Sequence, residues 1–411
     1  MRWPTKSVED AVERLIDYRG KTPEKTRGGV RLVTAKVIKG GRILPAPAEY
    51  IASDQYDSWM RRGLPKKLDV LLTTEAPLGE IGILRTSEKV ALAQRVILLR
   101  GKPEVLDQRF MFYAMQDSFV QEQLRARSTG TTVLGIKQSE LRKVELPIPD
   151  LLTQHRIASA LSAYDDLIEN NTRRIEILEE MARRLYEEWF VQFRFPGHEG
   201  VAFKGSELGL IPKGWELVAL EKAVEINPKT KVERDGEKVF VPMGALSETG
   251  MVISGWEIKS GNSGAKFQNG DTLVARISPC LENGKTGFVD FLPASQPTAC
   301  GSTEFIVLRS RSLCPEMVYC LSRSDRFREV AMKSMSGATG RQRVRVESLM
   351  GYLIAQPESE LVAKYHAFAQ PCFKEIRMLA NKNGNLRQQR DLLLPKLISG
   401  EIDVSDIPMP T

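Results

Sequence analysis

The sequence predicts an α+β protein: two mixed α/β modules joined by two long antiparallel helices that form a coiled coil, with an internal pseudo-two-fold. Three observations carry this. First, the chain repeats itself over half its length. Trp3, Val8, Glu9, Ala11, Val12 and Glu13 return as Trp215, Leu220, Glu221, Ala223, Val224 and Glu225, a shift of 212. Asp69, Leu71 and Pro77 return as Asp271, Leu273 and Pro279, a shift of 202. Ser128, Leu141, Pro149, Ile168, Leu178 and Leu185 return as Ser336, Leu349, Pro357, Ile376, Leu386 and Leu393, a shift of 208. Changes in shift of this size fit loop insertions, and a period this long is a duplicated domain rather than a solenoid unit. Second, each half ends in a long apolar seam of heptad spacing. Third, each half before its seam holds short β-branched runs bounded by Gly and Pro. The expected boundaries are 1–150 for the first module, 151–195 for the first helix, 196–357 for a linker and the second module, and 358–411 for the second helix and tail.

In chain order, residues 1–20 carry helical spacing, with Ala11, Val12, Leu15 and Ile16 interleaved with Asp10, Glu13, Arg14 and Asp17, and predict a short helix ending at Gly20. From 28 to 100 the pattern turns to strands. Val30-Arg31-Leu32-Val33 and Asp69-Val70-Leu71-Leu72-Thr73-Thr74 are the clearest, with Gly79, Gly82 and Gly101 as punctuation. Residues 107–127 return to helical spacing. Ser128-Thr129-Gly130-Thr131-Thr132 reads as a loop, and Leu146-Pro147-Ile148-Pro149 as an extended exit.

Residues 152–193 form the strongest element. Leu161, Tyr164, Ile168, Asn171, Ile175, Leu178, Ala182, Leu185 and Trp189 alternate in steps of three and four. This is an a/d seam of about four heptads. Residues 361–399 repeat it, with Ala369, Cys372, Ile376, Leu379, Asn383, Leu386, Arg390, Leu393 and Leu397 in the same positions. The pairing residues expected are Leu161, Ile168, Asn171, Ile175, Leu178 and Leu185 with Ile376, Leu379, Asn383, Leu386, Leu393 and Leu397. Each helix of about 40 residues is about 60 Å long. The polar Asn171 and Asn383 can fix register at some cost in stability. Gly384 reads as a bend, a close approach of another chain, or a tolerated flaw. Phe195-Pro196-Gly197 ends the first helix and opens a linker, and Trp215 begins the second module, whose residues 215–357 again show short strands.

The chain has 411 residues, of which 42% are hydrophobic and 27% charged. That supports real cores and more than one domain. Lys and Arg number 59 against 52 Asp and Glu, a net charge of +7, which favours an anionic partner. No apolar run approaches a membrane span and the first residues lack an apolar leader, so a cytoplasmic protein without membrane contact is expected. All five cysteines lie in the second half and none forms a Cys-x-x-Cys pair. They read as reduced structural thiols.

Catalytic signatures are missing. Gly284-Lys285-Thr286 and Gly20-Lys21-Thr22 resemble the end of a phosphate loop, but Pro279 and Leu15 stand where its first glycine belongs. No Gly-x-Gly-x-x-Gly follows a strand. The three histidines, His155, His198 and His366, are isolated. Glu257-x-Lys259 with Asp235 faintly resembles a nuclease core, but so short a pattern arises readily by chance. No catalytic residue, no metal site and no cofactor bound by this chain are expected.

Basic residues are present instead, beside Gly and Thr in both modules. In the first module Arg19, Lys21, Arg27, Lys36, Lys39 and Lys137 are the candidates for DNA contact. In the second they are Arg276, Lys285, Arg341, Arg343 and Arg345. Arg can bond guanine bidentately, Lys neutralises phosphate, and small residues admit the backbone. Each alone is an ordinary solvated charge. Their recurrence at equivalent places in two modules is what points to duplex DNA, whose own two-fold symmetry matches a duplicated reader. The aromatic set Tyr186, Trp189, Phe190, Phe193 and Phe195 reads as a helix end packed into the next module, or as a dock for a partner protein.

Longer motifs add a resemblance. Leu146-Pro147-Ile148-Pro149, Gln154-His155-Arg156-Ile157-Ala158, Asp165-Asp166-Leu167-Ile168-Glu169 and Arg173-Arg174-Ile175-Glu176-Ile177-Leu178-Glu179 resemble the central conserved region of type I restriction–modification specificity subunits. Phe193-Arg194-Phe195-Pro196-Gly197-His198 continues it. Leu394-Pro395-Lys396-Leu397-Ile398-Ser399-Gly400-Glu401-Ile402 is similar to that family's C-terminal conserved region. Asp17-Tyr18-Arg19-Gly20-Lys21-Thr22-Pro23 and Gly270-Asp271-Thr272-Leu273-Val274-Ala275-Arg276 are similar to segments of its target-recognition domains. Residues 358–378 and Asn381 to Asn385 depart from the family pattern. The resemblance implies a non-catalytic subunit with two target-recognition domains, each reading half of a split double-stranded DNA sequence. It also implies spacer helices that dock two methyltransferase subunits, and a restriction/translocase subunit that joins them. S-adenosylmethionine, ATP and Mg²⁺ would belong to those partners. The alternatives are a coiled-coil interaction scaffold without DNA specificity, which would show no salt-sensitive DNA affinity, and a nuclease or methyltransferase with an unrecognised site, which would turn over DNA alone.

Overall fold

A computed structural model describes residues 3–18, 22–338 and 342–407. The chain divides into two compact units, Met1–Ile168 with Asn385–Thr411, and Glu169–Gly384. Each long helix therefore contributes one segment to each unit.

In the first unit the residues read as one amphipathic helix do something else. Thr5–Ser7 is a strand, Val8–Ala11 a single helical turn and Val12–Asp17 a second strand. Ser7 caps the turn by accepting from the Asp10 amide. Residues four apart share a face in a helix and in a strand alike, so the spacing of Val12 and Ile16 could not separate the two. Pairing decides it: Val12–Asp17 lies antiparallel on Val96–Gly101, with Ile16 opposite Leu98.

The main sheet of this unit is antiparallel in the order Val12–Asp17, Val96–Gly101, Val70–Thr74, Leu78–Ile83. A smaller sheet orders Glu49–Ile51, Val30–Val33, Val90–Leu92, with the last pair parallel. Val70, Leu72, Ile97 and Leu99 enter one core, while Leu71, Val96 and Leu98 enter another. Burial on both faces explains why Val70–Thr74 reads as a continuous apolar run rather than an alternating one. The helical stretch after residue 107 is two helices, Gln108–Ala114 and Ser118–Ala126. Asp107 and Asp117 cap them by accepting from the Phe110 and Phe119 amides, and the second cap is what interrupts the helical run. Glu145–Pro147 pairs with Thr5–Ser7 and leads into the first long helix, Leu151–Tyr186.

The second unit repeats the order of the main sheet and adds a fourth strand to the smaller one. Its main sheet orders Val224–Ile226, Phe305–Ser310, Thr272–Ala275, Thr286–Phe288, and its second sheet orders Glu257–Ser260, Glu237–Val241, Thr298–Gly301, Ala265–Gln268. Glu237–Val241 and Thr298–Gly301 are parallel, as are their counterparts in the first unit. Helices Pro315–Arg323 and Asp325–Lys333 follow, and Glu216–Ala219 pairs with Leu353–Gln356 before the second long helix, Ser359–Ser399. The linker carries a hairpin of its own, Phe203–Ser206 with Gly209–Pro212.

Within the second unit the two helix segments run in opposite directions. Asn171 donates to the Asn383 side chain at 3.0 Å, Arg174 meets Glu375 at 2.9 Å, and the Tyr365 hydroxyl donates to the Ala182 carbonyl at 3.0 Å. Asn171, Ile376, Leu379 and Asn383 are buried, and Ile175, Leu178 and Leu185 are partly buried. Within the first unit Leu161, Ile168 and Leu397 are buried and Leu386 and Leu393 half-buried, while Arg390 pairs with Asp165. The second helix runs unbroken through Gly384, where an added Cβ would meet nothing within 4 Å. Close approach of another segment of this chain is thus not the reason for that glycine.

Candidate nucleic-acid interface

Each unit is braced by the same buried ion pair. In the first, Asp69 is fully buried and accepts from Arg100 Nε and Nη2 at 2.8 and 2.6 Å, and from the Lys66 amide. In the second, Asp271 accepts from Arg309 Nε and Nη2, both at 2.7 Å, and from the Gln268 amide at 2.8 Å. The paired strands put each Arg across from its Asp, so the aspartates that the repeat aligns are scaffold. Burial pushes the Asp271 acid up, and Arg309 opposes that rise. Arg309 Nη2 also donates to Thr230 Oγ1 at 2.8 Å, holding the loop after Val224–Ile226.

That loop forms one wall of a cleft enclosing about 630 Å³. Asn227 adopts φ +51°, and both its backbone amide and its side-chain oxygen bond Val307. Lys229 and Thr230 follow. Gly264, Ala265, Lys266, Arg276, Thr303, Phe305 and Val307 complete the lining. A Cβ on Gly264 would lie 1.9 Å from the Gly301 carbonyl oxygen, so only glycine fits this close approach. Lys229 is exposed and Lys266 half-buried. Neither pairs with a carboxylate among the described residues. Among the described residues the buried Arg276 Nε has no hydrogen-bond partner, and its Nη2 reaches the Val344 carbonyl at 3.4 Å.

The first unit holds a cleft at the corresponding place, after Val12–Asp17, but its lining differs. Tyr18 and Trp59 stack with centroids 5.8 Å apart, and Thr22, Glu24, Gln55, Ser58, Arg61 and Arg62 share the lining with them. Arg62 is tied to the Asp17 carbonyl.

The basic candidates have varied surroundings. Arg27, Lys39 and Lys137 in the first module and Arg345 in the second are exposed. Lys36 lies 3.8 Å from Glu49. Lys285 is half-buried with its Nζ 3.5 Å from the Met243 carbonyl. Arg343 is clamped bidentately on Glu304, at 2.7 Å from Nη2, and holds that carboxyl below the usual glutamate range. Arg19, Lys21 and Arg341 lie outside the described residues. Lys229, Lys266, Trp59 and Arg61 were missed by sequence reasoning because they lie outside its motifs and basic clusters, whereas Tyr18 falls within a quoted motif.

Other singled-out groups have local roles. Tyr186, Phe190 and Trp189 pack on Tyr365, and Phe193 and Phe195 on Trp215, which is the packed-helix-end reading of the aromatic set. Glu257 and Lys259 pair with each other at 2.6 Å on an exposed strand. Cys314, Glu316 and His366 bring donor atoms within 4.8 Å of one another, an arrangement the spacing did not reveal. His366 Nδ1 and Glu316 are 2.8 Å apart, and burial pushes the Cys314 thiol up. The Glu316–His366 hydrogen bond and the raised Cys314 thiol make this a local polar cluster. Among the described residues no helix is long and apolar enough to cross a membrane.

Each unit thus holds a cleft with basic side chains in its lining and a buried Asp–Arg pair in its scaffold. Residues 61–180 match the type I restriction modification DNA specificity domain. Over 351 residues the chain is 28% identical to the type I restriction enzyme MjaIX specificity subunit of Methanocaldococcus jannaschii, covering 82% of this chain and 78% of that one. It is 23% identical over 380 residues to the HindI specificity subunit of Haemophilus influenzae, covering 77% and 82%. The crystal structure of a type I restriction–modification S subunit from M. genitalium shares the fold, with a TM-score of 0.58 at 16% identity over 97% of this chain and 96% of that one. The chain is thus similar over most of its length to specificity subunits of type I restriction enzymes.

Proposed function

We propose that this subunit reads a bipartite, asymmetric sequence in duplex DNA, one half-site per module. The observation that carries this is the repeated strand order with differently lined clefts: the scaffold is kept while the contact chemistry changes from Tyr18, Trp59 and Arg61 to Lys229, Lys266 and Arg276. The long helices act as an antiparallel coiled-coil spacer related by a pseudo-two-fold, a reading supported by the Asn171–Asn383 bond. The same helices dock two methyltransferase subunits, and a restriction/translocase subunit completes the assembly. S-adenosylmethionine, ATP and Mg²⁺ are used by those partners. The chain works in the cytoplasm, where its DNA is.

The test is an exchange of residues 215–357 for the second module of another family member. Mapping modified adenines in cells carrying the hybrid should show one half-site changed and the other kept. A contiguous or palindromic motif, or a change in both halves, would refute the division of labour.

A further inference from the structure

We infer that the cleft of the second unit seats the sugar–phosphate backbone of one DNA strand, and that Arg276, Lys229 and Lys266 are its phosphate clamp rather than base readers. The inference rests on the DNA-recognition reading above. Three cations, contributed by three separated segments, converge on one concavity. Among the described residues no carboxylate lines it. Glu304, between Thr303 and Phe305 of the lining, is paired with Arg343, and the buried Asp271 with Arg309. Arg276 places a planar guanidinium on the cleft lining; its Nε is buried, so its terminal nitrogens, of which Nη2 makes only a long 3.4 Å contact with the Val344 carbonyl, are the donors for a phosphate oxygen.

Shape separates phosphate from base. Base edges lie inside a groove and are reached by protein parts that project into it. A concave site receives what projects from the duplex, and that is the phosphodiester ridge. The walls are fixed in advance: Asn227 is bonded twice to Val307, Thr230 is held by Arg309, and Gly264 lies against Gly301. A preformed phosphate seat sets register and orientation without carrying sequence information.

Each neutralised phosphate contributes about −0.9 to the slope of log affinity against log salt. The full chain is titrated with fluorescent duplex between 50 and 200 mM salt, and its preferred motif is recovered from a randomised duplex library. Replacing all three cations with Ala should lower the slope by about 2.7, so that this fourfold salt range costs the wild type about 40-fold more affinity than the variant. The recovered motif should stay the same. Lys229→Ala with Lys266→Ala, both away from the core, should lower the slope by about 1.8, and Arg276→Lys should keep it. Thermal melting establishes that each variant is folded, and the two-lysine variant carries the test if Arg276→Ala is not. An unchanged slope in the folded two-lysine variant would overturn the phosphate seat. A motif relaxed at one position would overturn it in favour of base reading. A wild-type chain without salt-sensitive DNA affinity would overturn the underlying DNA reading itself.

Discussion

Asp271→Ala probes the scaffold of the second unit. The carboxylate is fully buried and accepts three hydrogen bonds, two from Arg309 at 2.7 Å and one from the Gln268 amide at 2.8 Å. Removing it leaves a largely buried guanidinium uncompensated, which costs about 3–5 kcal/mol. In a folding unit of this size each kcal/mol moves the midpoint by about 2–4 °C, so the transition of the second unit should fall by about 6–20 °C. Arg309→Met leaves the acid unpaired instead. Its folded pKa then rises further, so this variant keeps its stability below the unfolded pKa of Asp and loses it as pH rises through the folded value. The double variant replaces both charges with apolar groups and should recover most of the loss. Calorimetry gives the midpoints, and hydrogen exchange read by mass spectrometry localises the change. Strands Val224–Ile226 and Phe305–Ser310 should lose protection in Asp271→Ala, while Val70–Thr74, beside the equivalent Asp69–Arg100 pair, should keep it. A single variant within about 1 kcal/mol of wild type, or a double variant worse than either single, would refute the reasoning.

Four further outcomes are expected. Asn171→Leu or Asn383→Leu alone should destabilise the helix pair by about 1–3 kcal/mol, because each leaves the other's buried amide short of a partner, while changing both should be milder and relax register; denaturation and cross-linking read the two effects. The Glu304 carboxyl should titrate below the ordinary glutamate range and return to it in Arg343→Ala; the stability its partner confers is present above the unfolded pKa and lost as pH falls through the folded one, and carboxyl NMR follows it. Burial pushes Cys320 up to about 12 and Cys314 up as well, so a thiol reagent at neutral pH should label half-buried Cys280 first and reach Cys314 and Cys320 only on unfolding, as peptide mapping would show. One heptad inserted in register into both long helices lengthens each by about 10 Å, which should widen the unread gap of the DNA motif by up to about three base pairs; an active variant with an unchanged gap would show that the helices do not set the spacing.

The sequence by itself determined the elements that local pattern can encode. Shifts of 202 to 212 exposed the duplication, the seams from Leu161 and Ala369 exposed both long helices, and Val30–Val33 and Val70–Thr74 were legible as strands. The motifs running from Leu146 to Glu179 and from Leu394 to Ile402 carried the resemblance to specificity subunits. Tertiary structure decided what depends on distant partners. Val12–Asp17 became a strand because Val96–Gly101 supplies its hydrogen bonds, although its spacing suits a helix equally. Aligned Asp69 and Asp271 became buried braces only once Arg100 and Arg309 were brought across from them. The fate of each basic residue was likewise settled in space: Glu304 takes Arg343, whereas Arg276 joins Lys229 and Lys266 in one cleft. Helix and strand periodicities are short-range and so are written in adjacent residues. Charge pairing and cleft formation arise between segments tens of residues apart, and a single sequence does not record which of them meet.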